Sequence, residues 1–102
     1  MFFNNIPCEE AHRMLREQNA QLVDVRTPME YAQGALPEAV NVPLQAIQMA
    51  EEKLDKTRPV ILYCMSGTRT RMAKMYLESM GFDQVHDLGS WQNYFTCQQQ
   101  TA

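Results

Sequence analysis

The stretch from residue 59 to residue 70 reads PVILYC and then MSGTRT. Its first half, residues 59–64, is a continuous apolar run with β-branched members, typical of a strand at the centre of a parallel sheet covered on both faces. The second half predicts a tight loop over residues 65–68 and a helix over residues 70–80 closed by Gly81. The residues predicted to form the core face of that helix are Met72, Ala73, Tyr76, Leu77 and Met80.

The flanking segments alternate in the same way between strand and helix patterns. Apolar residues at helical spacing predict a helix that begins after Pro7 and ends near Asn19. Thr27, followed by Pro28 and Gly34, predicts a short capped helix. Strands alternating with helices predict an α/β layer fold with a mainly parallel sheet, in which ligands bind beyond the carboxyl ends of the strands. The other predicted elements are strands at 21–26, 39–42 and 84–86, a helix at 44–54 and a short helix at 89–94.

The composition is that of an ordinary folded domain, with 102 residues, 45% hydrophobic and 21% charged. We expect residues 1–102 to form one domain, since a chain of this length buries enough surface for one core. No apolar run approaches the ~20 residues of a membrane span, and residues 1–7 do not resemble a secretory signal. These features predict a cytoplasmic protein without a membrane partner, although a mature secreted form would show the same features. The net charge of −3 argues against nucleic acid as a partner.

The cysteines and histidines do not form a recognisable metal motif. Cys8, Cys64 and Cys97 are an odd number without the pairwise spacing of a zinc site. We therefore expect reduced thiols in a cytosol, no metal and no cofactor. His12 and His86 are isolated in the sequence, and we interpret both as surface or satisfied polar groups. Cys8 and Cys97 are interpreted as bystanders, the alternative being that one of them resolves a derivative of Cys64 into a disulfide.

Positive charge is concentrated in one part of an otherwise acidic chain. Residues 56–77 contain five basic residues and no acidic one, whereas residues 1–55 contain four basic and nine acidic residues. A basic run is most often a solvated face. Because this run also contains Cys64, the alternative is a pocket that attracts anions. The five basic residues are Lys56, Arg58, Arg69, Arg71 and Lys74.

The chemistry of the chain is predicted to lie at Cys64, between the central strand and the next helix. A thiol at this point faces unpaired backbone N–H groups and the positive end of the helix dipole, which favours the thiolate by up to about 2 kcal/mol. Arg69 adds to this effect, and Gly67 allows the loop to turn with its amides pointing inward. We therefore predict an anion-binding loop with a nucleophilic sulfur. Hydroxyl groups able to bind an anion or cap the helix come from Ser66, Thr68 and Thr70.

The alternative interpretation is that Cys64 is a buried structural cysteine, which is the usual role of an isolated cysteine. A strand, a glycine, an arginine and a helix start follow one another here in the order that a reactive loop needs. That order favours the reactive interpretation.

At this point the sequence resembles the rhodanese-like domain family in its small, single-domain form, most closely the phage-shock type. Residues 64–70 match the pattern C-x-x-G-x-R-[ST], and residues 24–31 match D-V-R-x-x-x-E-[YF]. Residues 39–43, AVNVP, and residues 80–90, with their G-F and V…L-G elements, match further parts of the pattern. The resemblance covers residues 5–95 and implies a three-layer α/β/α fold with a central, mainly parallel sheet.

Three positions depart from the family pattern. Ala35 stands where the family often has histidine, Glu38 where it has glycine, and Ser90 where it has a second glycine. The first two lie away from the predicted nucleophile. We expect altered loop packing or substrate entry from them, not a loss of chemistry.

The resemblance implies sulfane-sulfur transfer by a thiosulfate sulfurtransferase. The Cys64 thiolate would attack the outer sulfur of thiosulfate or a related donor and form a persulfide, and cyanide or a cellular thiol, including a protein thiol, would remove the sulfur. Arg69 would orient the anionic donor, and the backbone amides of residues 65–69 would hold the persulfide. Asp24, Arg26 and Thr70 would support the site. This chemistry needs no metal and no general base. The predicted substrate-binding residues are Met65, Ser66, Gly67, Thr68 and Arg69.

Two other functions remain open at this point. A phosphatase or arsenate reductase on the same type of loop has five residues between cysteine and arginine, whereas four separate Cys64 from Arg69. The shorter loop favours sulfur over a tetrahedral oxyanion, by analogy. A non-catalytic sulfur carrier or redox sensor would use the same cysteine without turnover.

Arg26 and Glu30 are interpreted as structural residues that pair with each other or anchor the loop.

Overall fold

Four parallel strands form the centre of the protein. The structure is a computed structural model that describes residues 5–97, so the predictions for residues 1–4 and 98–102 lie outside the described residues. The strands are arranged in the order β2-β1-β3-β4, and every neighbouring pair is parallel. This arrangement confirms the predicted parallel sheet. The strands are β1 (Gln21–Asp24), β2 (Val40–Asn41), β3 (Val60–Cys64) and β4 (Val85–Ser90).

Helices cover both faces of the sheet, which gives the three-layer architecture that the resemblance implied. All five residues of β3 are buried, and their side chains alternate between two cores. Val60, Leu62 and Cys64 belong to one core, and Ile61 and Tyr63 belong to the other. The covering elements are α1 (Cys8–Glu17), α2 (Pro28–Gln33), a first 3-10 helix (Leu44–Glu52), α3 (Thr68–Ser79) and a second 3-10 helix (Trp91–Tyr94).

The segment after β2 is a 3-10 helix with a break at Ala46, whereas the sequence predicts a helix over 44–54. Ile47 and Ala50 are buried, and Leu44 packs against the same core. These three residues are spaced three apart, which places them on one face of a 3-10 helix. The apolar spacing therefore identified the buried face but not the type of helix.

The predicted core face of α3 is correct only in part. Ala73 and Leu77 are buried as predicted, but Met72 and Tyr76 are each 49% exposed. Thr70, one helical turn before Ala73, is buried instead, because its hydroxyl donates to the Gly67 carbonyl at 2.8 Å and needs no water. The small side chains of Thr70 and Ala73 allow α3 to approach β3 and β4 closely.

The last strand is longer than predicted and reaches the end of β3. The sequence predicts a strand over 84–86 and a short helix from residue 89, whereas β4 includes residues 89–90 and the helix begins at Trp91. In the structure, the pairing of β4 with β3 shifts register between Leu62 and Tyr63 and continues to Ser90. Gly89 is the first residue of β4 after this shift in register. Its φ of 82° is in the left-handed region, which glycine adopts without strain.

The two terminal cysteines are joined, so the expectation of reduced thiols is wrong for this pair. Cys8 and Cys97 form a disulfide although 89 positions separate them in the sequence. The reason is tertiary packing, because α1 lies against the second 3-10 helix and the His12 side chain contacts the Tyr94 carbonyl at 2.7 Å. The disulfide also excludes either residue as a free resolving thiol in this form.

The interpretation of the histidines needs two corrections. His12 is hydrogen-bonded, as predicted, but it is not isolated, because Cys8 and Cys97 lie beside it. His86 is not satisfied, because its Nε2 atom is buried without a hydrogen-bond partner. Burial of this side chain in β4 lowers the pKa of His86.

None of the helices within residues 5–97 is long and apolar enough to span a membrane.

Candidate active site

Cys64 ends the central strand at the carboxyl edge of the sheet. Its register partner on β4 is Ser90, and its own surface is fully buried. The backbone N–H of Gly67 donates to Cys64 Sγ at 2.9 Å. The sulfur therefore lies at the end of a parallel strand and beside the start of the next helix, the kind of place where proteins bind anions.

The loop after Cys64 turns sharply at Gly67. This glycine is the residue before α3 and has φ 97° and ψ −3°, a left-handed conformation that side chains disfavour. A Cβ atom at this position would lie 3.5 Å from the Cα atom of Gly89. That distance is an ordinary van der Waals contact, so the left-handed backbone conformation is what explains the glycine here.

The hydroxyl groups of the loop have different surroundings. Thr70 is buried and holds the loop by its bond to the Gly67 carbonyl. Ser66 and Thr68 are exposed, with their hydroxyl oxygens 3.2 Å apart. Met65 is 46% exposed beside them. Thr70 therefore shapes the loop, whereas the other three side chains lie at the surface of the protein next to Cys64 in the chain.

Arg69 forms a two-point ion pair with Glu30. Its Nη1 donates to Oε1 at 2.7 Å and its Nη2 to Oε2 at 3.1 Å. Glu30 is also the third residue of α2 and forms a capping box with Thr27, the residue before the helix. The Thr27 hydroxyl oxygen accepts from the Glu30 N–H, and the Glu30 carboxylate accepts from the Thr27 N–H. The pKa of Glu30 is lowered to about 2. The hydrogen bonds from the Arg69 guanidinium are the main cause, and the hydrogen bond from the Thr27 backbone N–H is the second.

Glu30 therefore connects α2 to the cysteine loop. Of the two interpretations of Glu30 and Arg26 from the sequence, the structure excludes their pairing with each other and supports anchoring of the loop. The capping box was visible in the sequence as Thr27 followed three residues later by Glu30. Arg69, 39 residues away, carries no sequence signal for this partner.

Replacement of Glu30 by glutamine is expected to destabilise the protein in a pH-dependent way. A carboxyl group whose pKa is lower in the folded than in the unfolded chain stabilises the fold fully when the pH is above its pKa in the unfolded chain. This stabilisation is lost as the pH falls through its pKa in the folded chain. The difference in free energy of unfolding between wild type and Glu30→Gln should therefore have its largest value at neutral pH. It should shrink as pH falls from 4.5 to about 2.

Urea unfolding of both proteins at several pH values measures this difference. Glu52→Gln, at an exposed acid on the first 3-10 helix, is the matched control and should show no such dependence. A Glu30→Gln effect that stays constant down to pH 2 would contradict the assignment of Glu30 as the charged partner of Arg69.

A second ion pair lies entirely inside the protein, at the carboxyl end of β1. Arg26 contacts both carboxylate oxygens of Asp24, at 2.7–3.0 Å, and also donates to the Gly34 carbonyl at 2.6 Å. The two side chains are 2% and 0% exposed. The hydrogen bonds that Arg26 donates to Asp24 raise the pKa of Arg26, and the carboxyl group is the partner that a buried guanidinium needs.

Tyr63 and the partly buried Trp91 both contact this ion pair, and the sequence did not indicate either contact. The Tyr63 hydroxyl donates to Asp24 Oδ2 at 2.8 Å and accepts from the Leu36 N–H at 3.0 Å. Burial is the main cause that raises the pKa of Tyr63. The Arg26 guanidinium lies 4.5 Å from the centre of the Trp91 ring. Asp24 and Arg26 thus fix the strand ends beside the cysteine loop, and a contact with substrate is not needed to explain them.

The comparisons with known proteins agree with this architecture. Residues 8–97 match the rhodanese-like domain. A sulfurtransferase of Allochromatium vinosum is 37% identical over 83% of this chain and 80% of that protein, and the thiosulfate sulfurtransferase GlpE of Pseudomonas syringae pv. syringae is 34% identical over 84% and 80%. The crystal structure of a rhodanese-like domain protein from Staphylococcus aureus superposes with a TM-score of 0.75, with 29% identity over 90% of this chain and 91% of that one. The resemblance seen in the motifs is thereby confirmed, and this chain belongs to the rhodanese-like domain family.

Proposed function

We propose that this protein is a sulfurtransferase in which Cys64 carries a sulfane sulfur as a persulfide from thiosulfate, or from a persulfide donor, to a thiol or cyanide. The observation that supports this most directly is the hydrogen bond from the Gly67 N–H to Cys64 Sγ at the start of α3. Among residues 5–97, Cys64 is the one cysteine outside a disulfide. The named sulfurtransferases among its relatives support the same reaction class.

The reaction has two displacement steps. The Cys64 thiolate attacks the outer sulfur of thiosulfate, the sulfur–sulfur bond of the donor breaks, and sulfite leaves with the bonding electron pair. The acceptor then attacks the outer sulfur of the Cys64 persulfide, which releases thiocyanate or a new persulfide and restores the thiolate. Neither step needs a metal or an external oxidant.

The donor would approach from the loop side. Cys64 has no exposed surface, whereas Met65 and Ser66 directly after it are exposed. We expect this short loop to open when a donor binds, since the body of the sheet encloses the sulfur on the other sides. The added persulfide sulfur would lie against the backbone N–H groups of residues 65–69.

Arg69 can contact the donor while it remains paired with Glu30. A guanidinium has five N–H donors, of which the two bonds to Glu30 use two. The remaining donors can reach anionic oxygens, and the side chain is 31% exposed. Glu30 thus acts as a positioning residue that holds the guanidinium plane in one orientation.

Intact-mass measurement after incubation with thiosulfate tests this function. We expect an adduct of one sulfur atom on the wild-type chain that cyanide removes, and no adduct on Cys64→Ser. Loss of an aryl phosphatase activity in Cys64→Ser, with no sulfur adduct on the wild type, would support the phosphatase alternative instead. An adduct that forms but never turns over with small acceptors would support a sulfur carrier.

A further inference from the structure

A cluster of three metal-ligating side chains lies outside the candidate active site, where α1 meets the second 3-10 helix. Cys8 and His12 are four residues apart on α1 and therefore share one face of the helix. Cys97 completes the group, and the ligand atoms of the three residues lie within 4.8 Å of one another. Within residues 5–97 this is the only such group of histidine, cysteine or acidic side chains.

The immediate surroundings of the cluster suit a thiolate. The Cys97 backbone N–H donates to Cys8 Sγ at 3.2 Å, which is the kind of contact that stabilises negative charge on sulfur. Cys8 is buried, and the His12 imidazole lies against the Tyr94 ring, with a centroid distance of 4.3 Å. The site is therefore small, partly closed and built from one imidazole and two sulfurs.

The three ligand atoms lie within 4.8 Å of one another, and the two sulfurs, which are bonded to each other in the oxidised chain, would have to separate after reduction to reach the spacing of a tetrahedral metal site. Zinc bonds of about 2.3 Å to sulfur and 2.0–2.1 Å to nitrogen place neighbouring ligand atoms about 3.5–3.8 Å apart. Rotation of the three side chains about their χ angles can bring the ligand atoms to this spacing. The Cα atoms of Cys8 and Cys97 are already 5.8 Å apart, so the backbone does not need to rearrange.

We propose that Cys8, His12 and Cys97 bind one zinc-class cation when their disulfide is reduced, with a fourth position open to water. A dithiol reductant would break the Cys8–Cys97 bond by supplying two electrons and two protons, and would itself become a disulfide. The cation then displaces the two thiol protons, and no further electrons are transferred. Two thiolates and an imidazole select zinc over magnesium or calcium.

The two states would hold the same elements together by different bonds. In the oxidised chain a covalent bond joins α1 to the residues after the second 3-10 helix, and in the reduced chain the cation would do so. That 3-10 helix directly follows Ser90, the register partner of Cys64. The proposal does not depend on sulfur transfer at Cys64.

Cobalt titration of the reduced full-length chain tests the proposal, in a Cys64→Ser background that removes the third thiol. We expect one Co²⁺ per chain, with thiolate-to-cobalt charge-transfer absorption and tetrahedral d–d bands that Zn²⁺ abolishes. Cys8→Ser and Cys97→Ser should each lose this spectrum. His12→Gln should weaken binding by at least about tenfold, and the control His86→Gln should bind like the parent.

Three results would overturn the proposal. They are the absence of charge-transfer absorption in the reduced parent, an unchanged spectrum in Cys8→Ser, and unchanged affinity in His12→Gln. If a cysteine variant fails to fold, the parent chain still decides the question, because bound Zn²⁺ should protect two thiols of the reduced protein from alkylation. Equal alkylation rates with and without Zn²⁺ would contradict the site.

Discussion

Cys64→Ser is expected to lower the rate of thiocyanate formation from thiosulfate and cyanide by at least about 10³-fold, the scale of loss seen when a covalent nucleophile is removed. A serine hydroxyl keeps nearly the same shape and can still accept the Gly67 N–H, but it is a far weaker nucleophile toward sulfur at neutral pH. The measurement is steady-state turnover of both proteins at equal folded concentration, with circular dichroism to establish that the variant is folded.

The double variant Cys8→Ser with Cys97→Ser is the matched control, since it removes the other two cysteines and leaves the candidate active site intact. It should retain most of the turnover. Comparable rates in wild type and Cys64→Ser would refute the proposed function, whatever the control shows.

Asp24→Ala is expected to reduce the free energy of unfolding by about 3–5 kcal/mol, the cost of leaving a buried charge without its partner. The substitution removes the acceptor of the Arg26 guanidinium, and it also removes the acceptor of the Tyr63 hydroxyl. Because Arg26 is 2% exposed, water cannot replace the lost carboxylate without opening the structure. Urea unfolding at neutral pH measures the loss.

Two further variants make this prediction falsifiable even if Asp24→Ala does not fold. Asp24→Asn keeps the shape and one acceptor oxygen and should lose less stability than alanine. Asp83→Ala, at an exposed acid, should change stability by less than about 0.5 kcal/mol. A loss below about 1 kcal/mol in Asp24→Ala would show that the buried pair is not the constraint that the geometry indicates.

Sequence patterns were sufficient where the cause of structure is local. The apolar run of β3, the glycine turn at Gly67 and the capping box at Thr27 each depend on residues within a few positions of one another. All three are present in the structure. They place Cys64 at the carboxyl end of a buried parallel strand, which is why the location of the candidate site could be predicted.

Patterns were insufficient where several local structures suit the same residues. Leu44, Ile47 and Ala50 are spaced three residues apart. In an α-helix these side chains lie only approximately on one face, whereas in a 3-10 helix, with three residues per turn, they lie directly on one face. On α3, Met72 and Tyr76 were assigned to the core because they are large and apolar. Close packing against the sheet selected the smaller Thr70 and Ala73 instead.

Local patterns along the chain were enough to predict the parallel α/β architecture, the glycine turn and the place of Cys64 at the end of the central strand, because strand, turn and cap preferences act between neighbouring residues. The partners that lie far apart along the chain depended on the packed fold: Glu30 for Arg69 across 39 positions, Trp91 for Arg26, and Cys97 for Cys8 across 89. An ion pair or a disulfide requires contact within a few ångströms. Which side chains come that close depends on how the layers pack around the sheet.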